Sequence, residues 1–279
     1  MTGPIGVFDS GYGGLTVFKE IQKKLPNYDF IYLGDNARVP YGIRSFQAVY
    51  EFTRECVFKL FELGCNLVII ACNTASAKAL KNIQEFDLPE GKRVLGVIRP
   101  TTESIDRYTS TKKVGILATQ GTVLSDSYKI EIAKFFPTIE VFQHACPLWV
   151  PLVENNEMVS KAARYIVEQD VRELMALSPN IDTIVLACTH FPLLLPLIKT
   201  CVTENVSVLS QGEIVSEKLV DYLLRHTEID ERCRKEGKVS FYTTDEVIDF
   251  ENKTAIFYGK KITANYIQVQ KQGISIKKG

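Results

Sequence analysis

The stretch Asn66-Leu67-Val68-Ile69-Ile70-Ala71-Cys72-Asn73-Thr74 has a counterpart in the second half of the chain, Asp182-Thr183-Ile184-Val185-Leu186-Ala187-Cys188-Thr189-His190. Each is a short apolar run that ends in Ala-Cys and continues into hydroxyl- or amide-bearing residues. A run of this kind reads as a strand buried on both faces, as in a parallel sheet. Open α/β sheets place ligands outside the carboxyl ends of their strands, and both cysteines fall there. Two equivalent thiols on opposite sides of one pocket could exchange protons with both faces of a single carbon.

Working outward, short apolar runs alternate with longer amphipathic ones. Ile5-Gly6-Val7-Phe8, Asp29 to Leu33, Leu67 to Ala71 and Val94 to Ile98 read as strands. Between them, Leu15 to Lys24, Ser45 to Leu63 and Ala75 to Phe86 read as helices, the second closed by Gly64. The pattern then restarts. Val114 to Thr119, Ile139 to Phe142 and Asp182 to Ala187 are strands, with helices over Ser125 to Phe136 and Lys161 to Ala176. Equivalent first strands are offset by 109 residues and the cysteines by 116, which suggests two halves built on one plan. The βαβα order predicts an α/β fold with mainly parallel sheets. The first domain takes residues 1–98 plus 207–279 and the second 99–206. Pro100-Thr101-Thr102 begins the crossover, and Val206 to Leu209, with a helix over Glu213 to Arg225, returns to the first half. After Arg232 the pieces Lys238 to Thr243 and Thr254 to Tyr258 are β-prone, ahead of Lys277-Lys278-Gly279. They suggest a solvated edge or hairpin without chemistry.

The 279 residues suffice for one large or two ordinary domains, and 46% apolar content supports a substantial core. The 33 basic and 33 acidic residues balance, which argues against nucleic-acid binding by bulk attraction and leaves self-association permitted. The N-terminus enters a strand directly, without a signal-peptide pattern, and no apolar stretch reaches the ~20 residues that span a bilayer. Seven irregularly spaced cysteines suggest neither a disulfide framework nor a zinc site. A reducing, cytoplasmic setting is the inference.

The candidate site residues sit after the strands. Asp9-Ser10-Gly11-Tyr12-Gly13-Gly14 opens the first helix, either as an anion-binding loop with Asp9 in the pocket or as a tight turn. It does not match G-x-G-x-x-G, and no G-K-[ST] follows. The loop holding Pro40, Tyr41 and Gly42 reads first as a structured turn, although Tyr41 could offer its hydroxyl and Gly42 its amide. A buried cysteine is usually a small hydrophobe, and Cys56, Cys65, Cys201 and Cys233 take that reading; Cys146 has no symmetric mate. Cys72 and Cys188 differ because helix-start amides after each favour thiolate. Asn73, Thr74 and Thr189 can hydrogen-bond a polar substrate. Thr119 and Thr122 fall where the second half repeats the Asp9-Ser10 loop. His190 is either structural or an aid to proton transfer, and Glu154 is a weaker candidate because a loop charge is usually solvated.

Together, Phe8-Asp9-Ser10-Gly11-Tyr12-Gly13-Gly14, Pro40-Tyr41-Gly42, Ala71-Cys72-Asn73-Thr74-Ala75-Ser76 and Cys188-Thr189-His190-Phe191-Pro192 resemble the glutamate racemases. Pro151-Leu152-Val153-Glu154 and Phe241-Tyr242-Thr243-Thr244 extend the resemblance to about residue 245. It implies two pseudo-symmetric α/β domains with the active site between them. It also implies a bacterial cytosolic homodimer that uses neither cofactor nor metal and supplies D-glutamate for peptidoglycan. Carried onto these positions, Cys72 and Cys188 are the acid/base pair, with Asp9, His190 and Glu154 beside them. Ser10, Pro40, Tyr41, Gly42, Asn73, Thr74, Thr119, Thr122 and Thr189 join Asp9 and His190 around the substrate. Departures are Asn36, where threonine is common, Ala187, where glycine is common, and Arg99 at a variable position. Racemisation of aspartate or another acidic amino acid is the nearest alternative, since one methylene is hard to read from loops. A non-catalytic two-lobed binder of a small anion leaves the paired cysteines unexplained.

Overall fold

The computed structural model describes residues 1–269 of the chain. The end of the tail, including Lys277-Lys278-Gly279, lies outside the described residues. Among the described residues, ten strands form two sheets. The first contains β1 (Ile5–Asp9), β2 (Phe30–Gly34), β3 (Leu67–Ile70), β4 (Arg93–Gly96), β9 (Val239–Thr243) and β10 (Ala264–Tyr266), in the order β10-β9-β2-β1-β3-β4. The second contains β5 (Lys113–Ala118), β6 (Glu140–Ala145), β7 (Thr183–Ala187) and β8 (Ser207–Leu209), in the order β6-β5-β7-β8. Every pairing among these strands is parallel. The chain is therefore α/β with two parallel sheets.

Burial explains why the central strands read as unbroken apolar runs. All residues of β1, β2, β3 and β7 are buried, because helices cover both faces of each sheet. Helix α1 (Leu15–Lys24) buries Leu15, Val17, Phe18 and Ile21, and the Phe18 ring meets Phe30 edge-on at 5.3 Å. Helix α2 (Phe46–Glu62) starts at Ser45, whose hydroxyl accepts from the Ala48 amide at 3.2 Å, the usual way to satisfy an orphan donor. The helix Lys161–Ala176 begins in the same way at Ser160.

The structure corrects several sequence expectations. Ser207–Leu209 pairs with β7, so the chain returns to the first half only with the helix Gln211–Arg225, which packs along α1. The helix placed over Ala75 to Phe86 instead starts at Asn73 as α3 (Asn73–Lys78), breaks at Ala79 and closes in a wide π turn. The helix placed over Ser125 to Phe136 runs from Ser127 to Phe135, and a separate short helix, Gln120–Leu124, precedes it, with Asp126 between them at a φ of 51°. β4 stops at Gly96, and a short helix occupies Ile98–Thr102. In the tail, β9 is an interior strand between β2 and β10. Thr254 to Tyr258 belongs to the helix Val247–Tyr258, which buries Phe250, Thr254 and Phe257. The β-propensity of that piece is overridden by packing against α1.

Candidate active site

The carboxyl ends of β1 and β3 meet those of β5 and β7. Thr16 donates its hydroxyl to the Thr189 carbonyl at 2.8 Å. A methyl group on Gly13 would lie 2.3 Å from Thr189 Oγ1 and 2.4 Å from His190 Nδ1. Only glycine lets the first loop approach the second cysteine's loop this closely.

Cys72 is the N-cap of α3. Its sulfur accepts from the Ala75 amide at 3.5 Å and lies 3.4 Å from Ser10 Oγ. The cysteine is only 6% exposed. Burial pushes its thiol up to about 12, and Asp9 pushes in the same direction, against the hydrogen bonds from Ser10 and Ala75. The helix-start amide does favour thiolate at Cys72, as expected, but desolvation outweighs it. This thiol holds its proton.

Asp9 is fully buried and has its carboxyl raised by burial, with His190 and the Gly11 and Gly14 amides opposing. Its Oδ1 accepts from the Gly11 amide at 2.9 Å, and its Oδ2 accepts from Thr189 Oγ1 at 3.5 Å. Asp9 therefore stands between the two thiol loops.

Cys188 sits in a different setting. Its sulfur is 4.0 Å from His190 Nδ1, while His190 Nε2 is 2.9 Å from Glu154 Oε1. Burial works against charge on this ring, but the contacts with Cys188 and Glu154 carry it up to about 10. An imidazolium at neutral pH thus faces the Cys188 sulfur. Glu154 is not a solvated loop charge. It ends the helix Trp149–Glu154 and points at His190. Phe257 meets the His190 ring edge-on at 5.2 Å, so the tail contributes a wall to this site. The sulfurs lie within electrostatic reach, since negative charge on Cys188 also raises Cys72.

Three threonine hydroxyls join the halves. Thr74 Oγ1 is 2.9 Å from Thr119 Oγ1 and 3.4 Å from Thr122 Oγ1, and the last two are 3.1 Å apart. Gly42 approaches the same cluster, with a methyl there predicted at 3.0 Å from Thr119 Cβ. Pro40 leads into that turn through a cis Val39-Pro40 bond. Tyr41 is buried and donates its hydroxyl to Asp35, which also receives Arg38 Nε at 2.7 Å. The hydroxyl thus braces the loop. Asn73 is similarly engaged: Nδ2 donates to Gln211 Oε1 at 2.7 Å, and Oδ1 accepts from Tyr128 at 2.7 Å. Gln211 Nε2 in turn donates to the Tyr128 hydroxyl at 2.7 Å and Thr101 Oγ1 at 2.9 Å. Sequence reading missed Gln211, Tyr128 and Phe257, which lie far along the chain from either cysteine. The one local signal is the position of Gln211 at a helix start.

A cavity of about 500 Å³ touches Cys188 and Thr189 and is walled by Thr16, Glu20, Tyr108 and Gln211, but it does not include Cys72. The contact of Gly13 with His190 lies outside this space as well.

The comparisons agree with one another. Residues 5–219 match the family model described as Asp/Glu/Hydantoin racemase. A glutamate racemase from Lactococcus lactis subsp. cremoris is 41% identical over 249 residues, covering 88% of this chain and 89% of that protein. The crystal structure of a glutamate racemase isoform from Bacillus anthracis superposes with a TM-score of 0.87 at 34% identity, covering 95% of this chain and 97% of that one. A glutamate racemase from Francisella tularensis subsp. tularensis, in complex with D-glutamate, has a TM-score of 0.85 at 30% identity, covering 95% of this chain and 97% of that one.

Proposed function

This chain belongs to the Asp/Glu/Hydantoin racemase family, and from that premise we propose how its residues interconvert L- and D-glutamate. The activity is that of an amino-acid isomerase acting on glutamate. The reading rests on one observation above all: the two matched cysteines occupy unequal electrostatic settings. Cys72 caps α3 beside Ser10 with its thiol raised by burial and Asp9, while the Cys188 sulfur lies 4.0 Å from a His190 ring held by Glu154.

Cys188 as thiolate takes the α-proton from one face of the substrate. Cys72 delivers its own proton to the opposite face, so the C–H bond broken on one side is replaced on the other. The pair ends as Cys188 thiol and Cys72 thiolate, the form that acts on the product enantiomer. One proton is shared throughout, and no external acid, base, cofactor or metal is needed. The α-proton of an amino acid is far less acidic than a thiol, so negative charge developing at the α-carbon must be stabilised electrostatically. Ser10 and Thr74 on one side and Thr189 on the other supply hydroxyls for the substrate's polar groups. Thr119 and Thr122 hold Thr74, and Asn73 and Gly42 shape the same wall. Asp9 links the two loops through Thr189, and His190 with Glu154 balances charge on Cys188.

The D-glutamate formed serves peptidoglycan synthesis, in the cytoplasm, and the working form is a homodimer. All seven cysteines are free, and among the described residues no helix is long and apolar enough to cross a membrane. The test is polarimetry of L-glutamate, with L-aspartate in parallel, using wild type, Cys72→Ala and Cys188→Ala in deuterated solvent. Wild type racemises glutamate and incorporates deuterium at Cα, and neither variant racemises. Full racemisation by either variant overturns the two-thiol scheme, and preference for aspartate overturns the substrate.

A further inference from the structure

Away from the two thiols, the end of β6 carries a second cluster of ligating groups. His144, Cys146 and Asp170 each offer one atom, and these atoms lie within 4.8 Å of one another. His144 and Cys146 are two residues apart at the carboxyl end of an edge strand, and Asp170 comes from the facing helix Lys161–Ala176. We propose that His144 Nε2, Cys146 Sγ and the Asp170 carboxylate form a binding site for a thiophilic divalent cation such as zinc, with the Glu173 carboxylate as fourth ligand.

The donor set is a mixed nitrogen, sulfur and oxygen one that suits zinc better than magnesium or calcium. His144 Nε2 is already 3.0 Å from Asp170 Oδ1 and 3.8 Å from Glu173 Oε2. With bonds of about 2.0–2.1 Å to nitrogen or oxygen and 2.3 Å to sulfur, tetrahedral ligands stand ~3.3–3.6 Å apart. The 3.0 Å His144–Asp170 side therefore has to open slightly, sides of up to 4.8 Å have to close by about 1.2–1.5 Å, and Glu173, 3.8 Å from His144 Nε2, has to swing in. A supporting contact is in place, because Trp149 Nε1 donates to Asp170 Oδ2 at 2.6 Å, leaving Oδ1 for the ion. Such outer hydrogen bonds orient ligating carboxylates. Cys146 is buried, whereas the Glu173 side chain is 52% exposed and gives the ion a way in. On binding, Cys146 releases its proton to solvent, and the cation takes the place of the proton shared by His144 and Asp170.

The site also has a route to the chemistry. Trp149 begins the short helix that ends in Glu154, the partner of His190. Its ring packs 4.7 Å from Phe191, the residue after His190. An ion that draws in Asp170 shifts Trp149 and so bears on the Glu154–His190 pair.

Trp149 is the sole tryptophan of the chain, so its fluorescence reads the site directly. The experiment titrates the full-length protein, without glutamate, with zinc chloride and in parallel with cobalt chloride. The expected result is a saturable one-to-one change in Trp149 emission with zinc, and a thiolate-to-cobalt charge-transfer band in the near ultraviolet. Both are lost in Cys146→Ser and in His144→Gln, and both persist in Cys188→Ala. His144 is partly exposed, so its replacement tests the site even if the buried Cys146 variant fails to fold. The absence of a cobalt band in wild type, its survival in His144→Gln, or its loss in Cys188→Ala would each overturn the proposal. None of these readouts requires racemisation, so they stand or fall apart from the two-thiol mechanism.

Discussion

Replacing Glu154 by Gln removes one charge while keeping the shape of the side chain. The Glu154 carboxylate lies 2.9 Å from His190 Nε2, with its side chain 21% exposed against 7% for the histidine. A hydrogen bond to a charged group is worth about 1.5–3 kcal/mol. At 1.36 kcal/mol per pH unit, that loss lowers the imidazolium by about one to two units. His190, carried up to about 10 by Cys188 and Glu154 against the cost of burial, would then lose its proton nearer 8 to 9. If the imidazolium balances charge on Cys188, activity needs it protonated, and the alkaline limb of the rate profile moves down by the same one to two units. The two directions are constrained as well. L- and D-glutamate are mirror images with an equilibrium constant of one, so kcat/KM must fall by the same factor for both. The assay is kcat/KM against pH by circular dichroism, started from each enantiomer, for wild type and Glu154→Gln. An alkaline limb that stays in place in a folded Glu154→Gln protein refutes the role given to this pair.

The same residue links charge to stability. His190 is raised from an ordinary 6.5 to about 10 in the folded chain, so its contribution is fully present below pH 6.5 and is lost as pH rises through about 10. Denaturant midpoints measured from pH 6 to 10 should fall more in wild type than in Glu154→Gln, and parallel curves would contradict this. Gln211→Leu leaves Asn73 Nδ2 without its buried partner, while Thr101 keeps its hydroxyl's bond to the Val97 carbonyl. The cost is about 1–3 kcal/mol per stranded group, read by urea unfolding, and an unchanged midpoint would show that the network carries no stability. Gly13→Ala puts a methyl within 2.4 Å of the Thr189 hydroxyl and the His190 ring. Racemisation should drop at least tenfold while the protein stays folded, and a full rate would mean that the two loops need not meet closely. Activity should survive exhaustive dialysis against a chelator without pyridoxal phosphate, and a rate restored only by adding a cofactor would contradict the cofactor-free scheme.

Some of this was legible in the chain because it is local. α1 and the helix Lys161–Ala176 read at their observed bounds from the alternation of apolar and amphipathic runs. The loop of Tyr41 read first as a structured turn, and the structure agrees: the hydroxyl donates to Asp35, which Arg38 also holds. Elsewhere local patterns misled. Thr254 to Tyr258 is β-prone yet helical, because packing decides whether an apolar piece becomes helix or strand. Glu154 resembled a solvated charge because its partner is 36 residues away.

The amino-acid order by itself determined that two alike strands end in cysteine, since burial on both faces demands unbroken apolar runs and leaves the chemistry at their ends. Only the folded structure decided that these thiols are unlike. Proton affinity depends on desolvation and on charges a few ångströms away. For Cys72 these are burial and Asp9, and for His190, beside Cys188, they are burial and Glu154, groups that converge on the site from separate loops and helices.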